Sequence, residues 1–225
     1  MNPFEKKFLD RLKRKRLVTR GDKVLAAVSG GPDSLAMLLL LHEAQPVLHC
    51  ELAAAHCNFS LRSEESDADE RFVTEFCRRL GIECFTARFD TRLAAAELKK
   101  SIEESARHLR YGFFAKLAEE RGFTRIATGH HVNDNAETML FNLFRGVSLP
   151  SLAGIRERNG MIIRPLLLFR REQISGYLEE KGIAARQDSS NILDEYDRNF
   201  IRNRVIPLIE ERFAHKLLPS LRRLS

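Results

Sequence analysis

The sequence predicts an α/β protein: an open, mostly parallel, doubly wound sheet that ends in a C-terminal helical linker. Three observations carry this. β-rich apolar runs alternate with helical runs from Lys23 to Gly146, a pattern that needs crossover connections. The first strand, KVLAAVS (Lys23 to Ser29), is apolar throughout, as a strand buried on both faces should be. A glycine loop then leads from that strand directly into a helix. The length of 225 residues suits one sizeable domain with a small appendage, and 44% hydrophobic residues is ordinary for a globular chain.

Residues 1–22 read as a basic amphipathic helix. Phe4, Phe8, Leu9 and Leu12 recur at helical spacing, which predicts packing against the body. The segment lacks an apolar h-region and a small-residue cleavage site, so it is not a secretion signal. After the first strand, Ser34 to Ala44 is a helix; its apolar run is too short to span a membrane and meets His42 and Glu43. Leu48 to Phe59 is the second strand. Ser63 to Gly81 is an amphipathic helix, acidic early and basic late. Glu83 to Asp90 is the third strand. Ser101 to Gly122 is a helix opened by a capping box of Ser101 and Glu104, with Ile102, Ala106, Leu109, Phe113 and Leu117 as its apolar stripe. Thr124 to His131 is the fourth strand, and Asn133 to Gly146 the next helix.

Beyond Gly146 the pattern changes. Asn159-Gly160 lies between two short runs and signals a hairpin. Arg171 to Gly182 is a helix, Arg186 to Phe200 is polar and turn-rich, and Phe200 to Phe213 is a last helix bent or restarted at Pro207. The domain expectation is therefore 1–22, 23–185 and 186–225. The third reads as a polar loop and helical linker, the start of a truncated C-terminal region.

The net charge of +6 is unevenly placed: Lys6 to Arg16 at one end and Arg198 to Arg223 at the other are basic. Such segments attract polyanions, or are solvated helix faces. Cys50, Cys57, Cys77 and Cys84 form no C-x-x-C pair, which argues against a zinc ribbon and for buried free thiols in a cytoplasmic protein.

The loop VSGGPDS (Val28 to Ser34) opens the chemistry. Gly30 and Gly31 let backbone approach a ligand, and Pro32, Asp33 and Ser34 begin a helix whose free N–H groups attract an anion, most simply phosphate. The Lys of a Walker A loop and the spacing of a dinucleotide fingerprint are both absent. Asp33 would repel phosphate unless Mg²⁺ bridges them; otherwise it only caps the helix.

SGGPDS resembles the SGG-x-DS loop of the ATP pyrophosphatase (PP-loop) superfamily. The resemblance implies cleavage of ATP between its α- and β-phosphates, with pyrophosphate held by the loop. It implies a fold like the adenine nucleotide alpha hydrolases, and ATP contacts from Ser29, Gly30, Gly31, Pro32, Asp33, Ser34, His56, Thr128 and Gly129.

The later motifs narrow the substrate. They are AAAHCNFSLRSEESDADE (Ala53 to Glu70), ESARHLRY (Glu104 to Tyr111), TGHHVNDNAET (Thr128 to Thr138), RPLL (Arg164 to Leu167), DSSN (Asp188 to Asn191) and RNFIRNRVIP (Arg198 to Pro207). In this order they resemble the tRNA(Ile)-lysidine synthetase family. That family usually has His where Phe59 stands, and two acids where Asn133-Asp134 stands; the difference bears on metal coordination rather than on the reaction.

The residues themselves allow two readings at most of these positions. Asp134 and Glu137 can face the same way from a helix start, for function or as a capping-box variant. His130 and His131 suit a phosphate or base, or a structural role. Arg107 and Arg110 leave the helix on its flank, for phosphate or for solvent. Arg198, Arg202 and Arg204 suit RNA backbone contact, or an ordinary linker. Glu64, Glu65, Asp67, Asp69 and Glu70 are most simply an acidic helix start.

The resemblance implies a ligase acting on the wobble cytidine of tRNA(Ile) with a CAU anticodon. The C2 oxygen attacks the α-phosphate of ATP, and free lysine then displaces AMP to give lysidine. Asp33, Asp134, Glu137 and Arg107 would be catalytic, Asp33 and Asp134 would hold Mg²⁺, and Arg198, Arg202 and Arg204 would touch tRNA. No membrane partner is expected, and a homodimer is compatible with the sequence. Two other readings stay open: a thiolating PP-loop enzyme, many of which use a C-x-x-C that is absent here, and a non-catalytic nucleotide-binding module.

Overall fold

A computed structural model describes residues 1–62, 64–147, 152–185, 197–213 and 216–224. The chain runs α1 (Pro3–Arg14), β1 (Lys23–Ala27), α2 (Pro32–Leu48), β2 (Glu51–Asn58), α3 (Glu64–Arg79), β3 (Glu83–Arg88), α4 (Thr91–Leu98), α5 (Ile102–Arg121), β4 (Arg125–Ala127), α6 (Val132–Phe144), β5 (Arg158–Asn159), β6 (Ile162–Ile163) and α7 (Arg171–Glu180). It closes with α8 (Asp197–Phe200), a π-helical turn (Ile201–Val205), α9 (Ile206–Arg212) and α10 (Leu217–Leu224).

The sheet order is β3-β2-β1-β4-β6-β5. All neighbours are parallel except β5, which pairs antiparallel with β6 across the Asn159-Gly160 turn. The order reverses between β1 and β4. Chain leaving β1 turns one way to β2, and later chain fills the other side, so the loops after β1 and β4 diverge and leave a crevice.

The strand period distributes the core over both faces. Val24, Ala26, Ala54, Ala127 and Ile163 face α1, α2, α3 and α7. Leu25, Ala53, Ala55 and Ile126 face α5 through Phe114, Leu117 and Ala118. The N-terminal helix packs as its pattern predicts: Phe8 and Leu12 are fully buried, and Phe4 meets the rings of Phe169 and Tyr177. Full burial of side chains this size is worth roughly 1.5–3 kcal/mol each. A third, smaller cluster joins Val132, Ala136 and Leu140 of α6 to Ile201, Ile206 and Leu218 of the C-terminal helices.

Several expectations shift. α2 continues through Pro46 to Leu48, because proline removes a single hydrogen bond while Ala44 and Leu48 are buried. Strand β2 accordingly begins at Glu51. β4 stops at Ala127, where the chain turns across the loop after β1. α4 is a helix that the sequence reading left as a connection; Asp90 caps it through the Leu93 N–H at 3.0 Å. On α5 the capping box of Ser101 and Glu104 forms, but the buried stripe is Ala106, Phe114, Leu117 and Ala118, with Phe113 only half-buried. The last helix opens into a π turn ahead of Pro207, with the Ile206 N–H donating to the Ile201 carbonyl. Cys77 is buried, Cys50, Cys57 and Cys84 are half-buried, and all four are free thiols. The polar stretch 186–196, with the DSSN motif, lies outside the described residues.

Candidate functional site

Strand β1 delivers the glycine loop to the reversal point of the sheet. Gly30 adopts φ +96°, a conformation that L side chains rarely adopt, and a Cβ there would press on Val73 at 3.4 Å. Gly31 is the N-cap of α2 and Pro32 follows it at the first turn, so no side chain covers the helix's leading N–H groups. The loop braces itself. The Ser34 hydroxyl donates to the Gly31 carbonyl at 2.9 Å and accepts from the Ser29 N–H at 3.1 Å. Val28 is tied to β2 by donating to the Ala55 carbonyl at 2.9 Å.

Across the crevice, Gly129 packs on this loop. A Cβ at Gly129 would lie 3.2 Å from the Asp33 carbonyl carbon and from the Ser34 nitrogen. Only glycine lets the loops after β1 and β4 approach this closely.

His56, on β2, is buried below the loop. Its Nδ1 donates to the Val28 carbonyl at 2.8 Å, which leaves Nε2 as the bare nitrogen. That Nε2 is buried and has no partner among the described residues. Desolvation lowers the pKa of His56, so the ring is neutral.

The loop after β4 brings the acids together. His131 caps α6: its Nδ1 accepts from the Asn133 N–H at 3.2 Å, so Nε2 carries the proton. That Nε2 lies 3.5 Å from Asp33 Oδ2 and 3.5 Å from Asp134 Oδ2. Burial pulls the pKa of His131 down, but Asp33, Asp134 and Glu137 outweigh it and raise it. Asp134 closes a capping box by accepting from the His131 N–H at 2.8 Å. Its capping partner is therefore His131, three residues earlier, rather than Glu137. The other Asp33 oxygen, Oδ1, is buried without a partner among the described residues.

Glu137 sits one turn further along α6 and is 4% exposed. Desolvation raises its pKa against the opposing pull of Arg202. Arg202 grips it in a fork, Nε to Oε1 at 2.6 Å and Nη2 to Oε2 at 2.9 Å, and reaches Asp134 at 3.4 Å. Arg202 lies on the π turn, held over α6 by Ile201 and Ile206. This differs from the outward contact expected of it. Arg198 is exposed, with its guanidinium 5.7 Å from the centre of the Phe141 ring, and Arg204 is exposed. The structure thus groups Asp33, Asp134, Glu137, His131 and Arg202, and keeps Arg198 and Arg204 outside that group.

A basic group stands beside the acids. Arg107 lies 5.0 Å over the Tyr111 ring and Arg110 lies 5.2 Å over Phe59, both from α5. Arg164, at the end of β6, is 8% exposed and donates to the Arg156 carbonyl. His130 meets the Thr128 hydroxyl at 2.9 Å through Nδ1. Burial and the charges of Arg164, Arg107 and Arg110 push its pKa down to about 4, against the pull of Asp134. Arg164 belongs to the RPLL motif, and its place in this basic group is not visible from that motif. The clue was an arginine closing a short apolar strand, where a charge has little water.

Among the described residues no three His, Cys, Asp or Glu side chains are grouped as a ready-made metal cage. Mg²⁺ does not need one, since it binds through one or two carboxylates with substrate phosphates and water. Asp33, whose Oδ1 has no partner among the described residues, and Asp134, both 3.5 Å from His131 through Oδ2, suit that donor set.

A glycine loop at the reversal point of a parallel sheet, with carboxylates and arginines around one crevice, defines a nucleotide-binding α/β protein. The family model described as "PP-loop domain" matches residues 2–209. The tRNA(Ile)-lysidine synthase of Chlorobaculum tepidum is 61% identical over all of this chain, which covers 68% of that relative. That of Bacteroides thetaiotaomicron is 49% identical over 89% of the chain, covering 46% of its length. Among solved structures, the U34-tRNA thiolase NcsA from Methanococcus maripaludis with its [4Fe-4S] cluster superposes with a TM-score of 0.76 at 18% identity, over 98% of this chain and 79% of that one. This last likeness speaks to the fold. The chain belongs to the PP-loop family and, within it, to the tRNA(Ile)-lysidine synthases, a family of ligases. It spans 68% of the first relative's length and about half of most others.

Proposed function

We propose that the chain carries out ATP-dependent ligation of free lysine to C2 of the wobble cytidine in tRNA(Ile) with a CAU anticodon, by way of an adenylated tRNA. The observation that carries the mechanistic reading is the single crevice that gathers Asp33, Asp134 and Glu137 beside an uncapped helix start.

The first step is attack of the cytidine C2 oxygen on the α-phosphate of ATP, with pyrophosphate leaving. Ser29 to Ser34 would seat the departing phosphates on the α2 N–H groups, with Thr128 and Gly129 closing the other side. Arg107 would offset the growing charge; losing one such stabiliser typically costs roughly 3–4 kcal/mol in the barrier. Asp33 and Asp134 would hold Mg²⁺, which supplies charge neutralisation at the phosphates. Buried His56 would set the loop through Val28.

The second step needs a neutral amine, and free lysine starts with an ammonium pKa near about 10.4. With Asp33 and Asp134 on Mg²⁺, Glu137, held by Arg202, is the carboxylate placed to receive that ammonium. The raised pKa of Glu137, caused by burial, suits it to accept a proton. The C2–O bond then breaks, the C2–N bond forms and AMP departs.

In the same reading, residues 23–185 bind ATP, residues 1–22 buttress the sheet, and residues 186–225 lead towards tRNA with Arg198 and Arg204 facing it. The cytoplasm is the fitting compartment; no helix among the described residues is long and apolar enough to cross a membrane. A homodimer remains part of the proposal.

The test is transfer of labelled lysine, with ATP, to tRNA transcripts that differ only at the wobble base. Label is expected on the CAU transcript alone. Label on none, from a folded protein that binds ATP, would remove the reading. Asp33→Asn should abolish AMP release while tRNA still binds, and normal turnover by that variant would refute its role.

A further inference from the structure

Arg164 is a buried cation with no carboxylate partner among the described residues. It is 8% exposed, its Nε is buried with no acceptor among the described residues, and its Nη1 donates to the Arg156 carbonyl. The side chain of Tyr111, a neutral phenol, stands beside it. Another cation, Arg107, acts on it and lies 5.0 Å over the ring of that same tyrosine. Arg110 joins from the next turn of α5, over Phe59. All three bear on His130 at the mouth of β4. No ion pair to Arg107, Arg110 or Arg164 forms among the described residues, whereas Arg11, Arg62, Arg78, Arg88, Arg125 and Arg202 each have a carboxylate.

Burial of an unpaired charge is unfavourable unless something compensates it, and an arginine cannot escape by losing its proton. Burial and Arg107 both pull the Arg164 pKa down, the direction expected where a counter-anion is missing. Among the described residues these guanidiniums meet two aromatic rings and a carbonyl but no carboxylate. Planar forks converging without a carboxylate match the oxygens of a phosphoryl group.

We propose that Arg164, Arg107 and Arg110, framed by Tyr111 and His130, form a second phosphate-binding subsite, on the β4–β6 side of the crevice and apart from the glycine loop. It deepens the reading given above by adding a second anchor for a substrate phosphoryl group. That group comes either from the nucleotide or from the RNA backbone.

Two probes separate the sources: inorganic pyrophosphate, titrated by calorimetry, and a short single-stranded RNA, followed by fluorescence anisotropy against salt. Arg164→Gln and Arg110→Gln should each weaken at least one probe by about tenfold. Loss confined to pyrophosphate assigns a nucleotide phosphate. Loss confined to RNA, with the salt slope reduced by about one for each variant, assigns a backbone phosphate. Unchanged affinity for both probes in folded variants overturns the subsite. Should Arg164→Gln fail to fold, Arg110→Gln decides the matter. Neither probe involves lysine, so failure of lysine transfer with these effects intact would sink the ligation reading and leave the subsite standing.

Discussion

The two sides of the crevice are built in different ways. On the β1 side, the loop from Val28 to Ser34 is assembled from neighbours: Ser34 bonds to Gly31 and Ser29, all within five residues. On the α6 side, Glu137 takes its form from Arg202, 65 residues later in the chain. A local loop keeps its shape wherever its strand and helix pack. A carboxylate fixed from a distance depends on the docking of the C-terminal helices on α6. The binding half of the site is thus locally encoded, and the charge balance of its acidic half is a tertiary property.

The strongest way to break this contrast is Arg202→Met. It leaves Glu137 buried without its partner, and breaking such a pair costs about 3–5 kcal/mol. Glu137 already has a raised pKa, and losing Arg202 raises it further. A raised folded pKa gives stability that is complete below the unfolded value and falls as pH rises through the folded one. Urea unfolding of the variant should therefore show stability declining as pH rises above the ordinary carboxylate range. A flat profile would argue that the pair is not maintained in solution.

Gly129→Ala tests the contact between the two sides. The added methyl meets backbone at 3.2 Å, so the β1 loop must move. The shift needed is a few tenths of an ångström, so the rate of pyrophosphate release should fall, by less than the roughly hundredfold that a full ångström costs. Wild-type release would show that the loops can separate at no penalty.

Asp22→Asn probes a buried carboxylate remote from the crevice. Asp22 accepts from Thr19 N–H and Oγ1 at 2.7 and 2.9 Å and from Thr124 Oγ1 at 2.7 Å. Desolvation raises its pKa, but these bonds and Arg125 lower it overall. Its contribution is present above the unfolded pKa and is lost as pH falls through the lower folded one. The variant should lose about 1–3 kcal/mol near neutrality and a smaller amount in acid, measured by denaturation against pH. ATP binding should be unaffected, which separates scaffold from site.

The smallest effect is expected from Ser101→Ala. It removes an exposed capping box, worth about 1 kcal/mol of stability with no change at the crevice. A fall in phosphate binding in this variant would mean that the arginines of α5 depend on its first turn.

Much of this was legible in the residues. The strand and helix alternation, the glycine loop, the Ser101 capping box, the Asn159-Gly160 hairpin and the buried face of α1 are periodic or local signals, and each forms. Misses cluster where tertiary packing overrode local preference: Pro46 inside α2, the early end of β4, and the shift of the α5 stripe to Phe114. The inward turn of Arg202 had no local signal, because a basic residue near the end of a polar stretch reads as solvated.

By itself the sequence determined the sheet, its order of elements and the loop that would hold phosphate, since backbone periodicity and glycine conformations act over a few residues. Only the tertiary structure decided that Asp33 and Asp134 meet at His131, that Arg202 closes on Glu137, and that Arg164 is buried with no carboxylate partner among the described residues. Charges act through space and through burial, and neither distance nor desolvation is written in the spacing of residues along a chain.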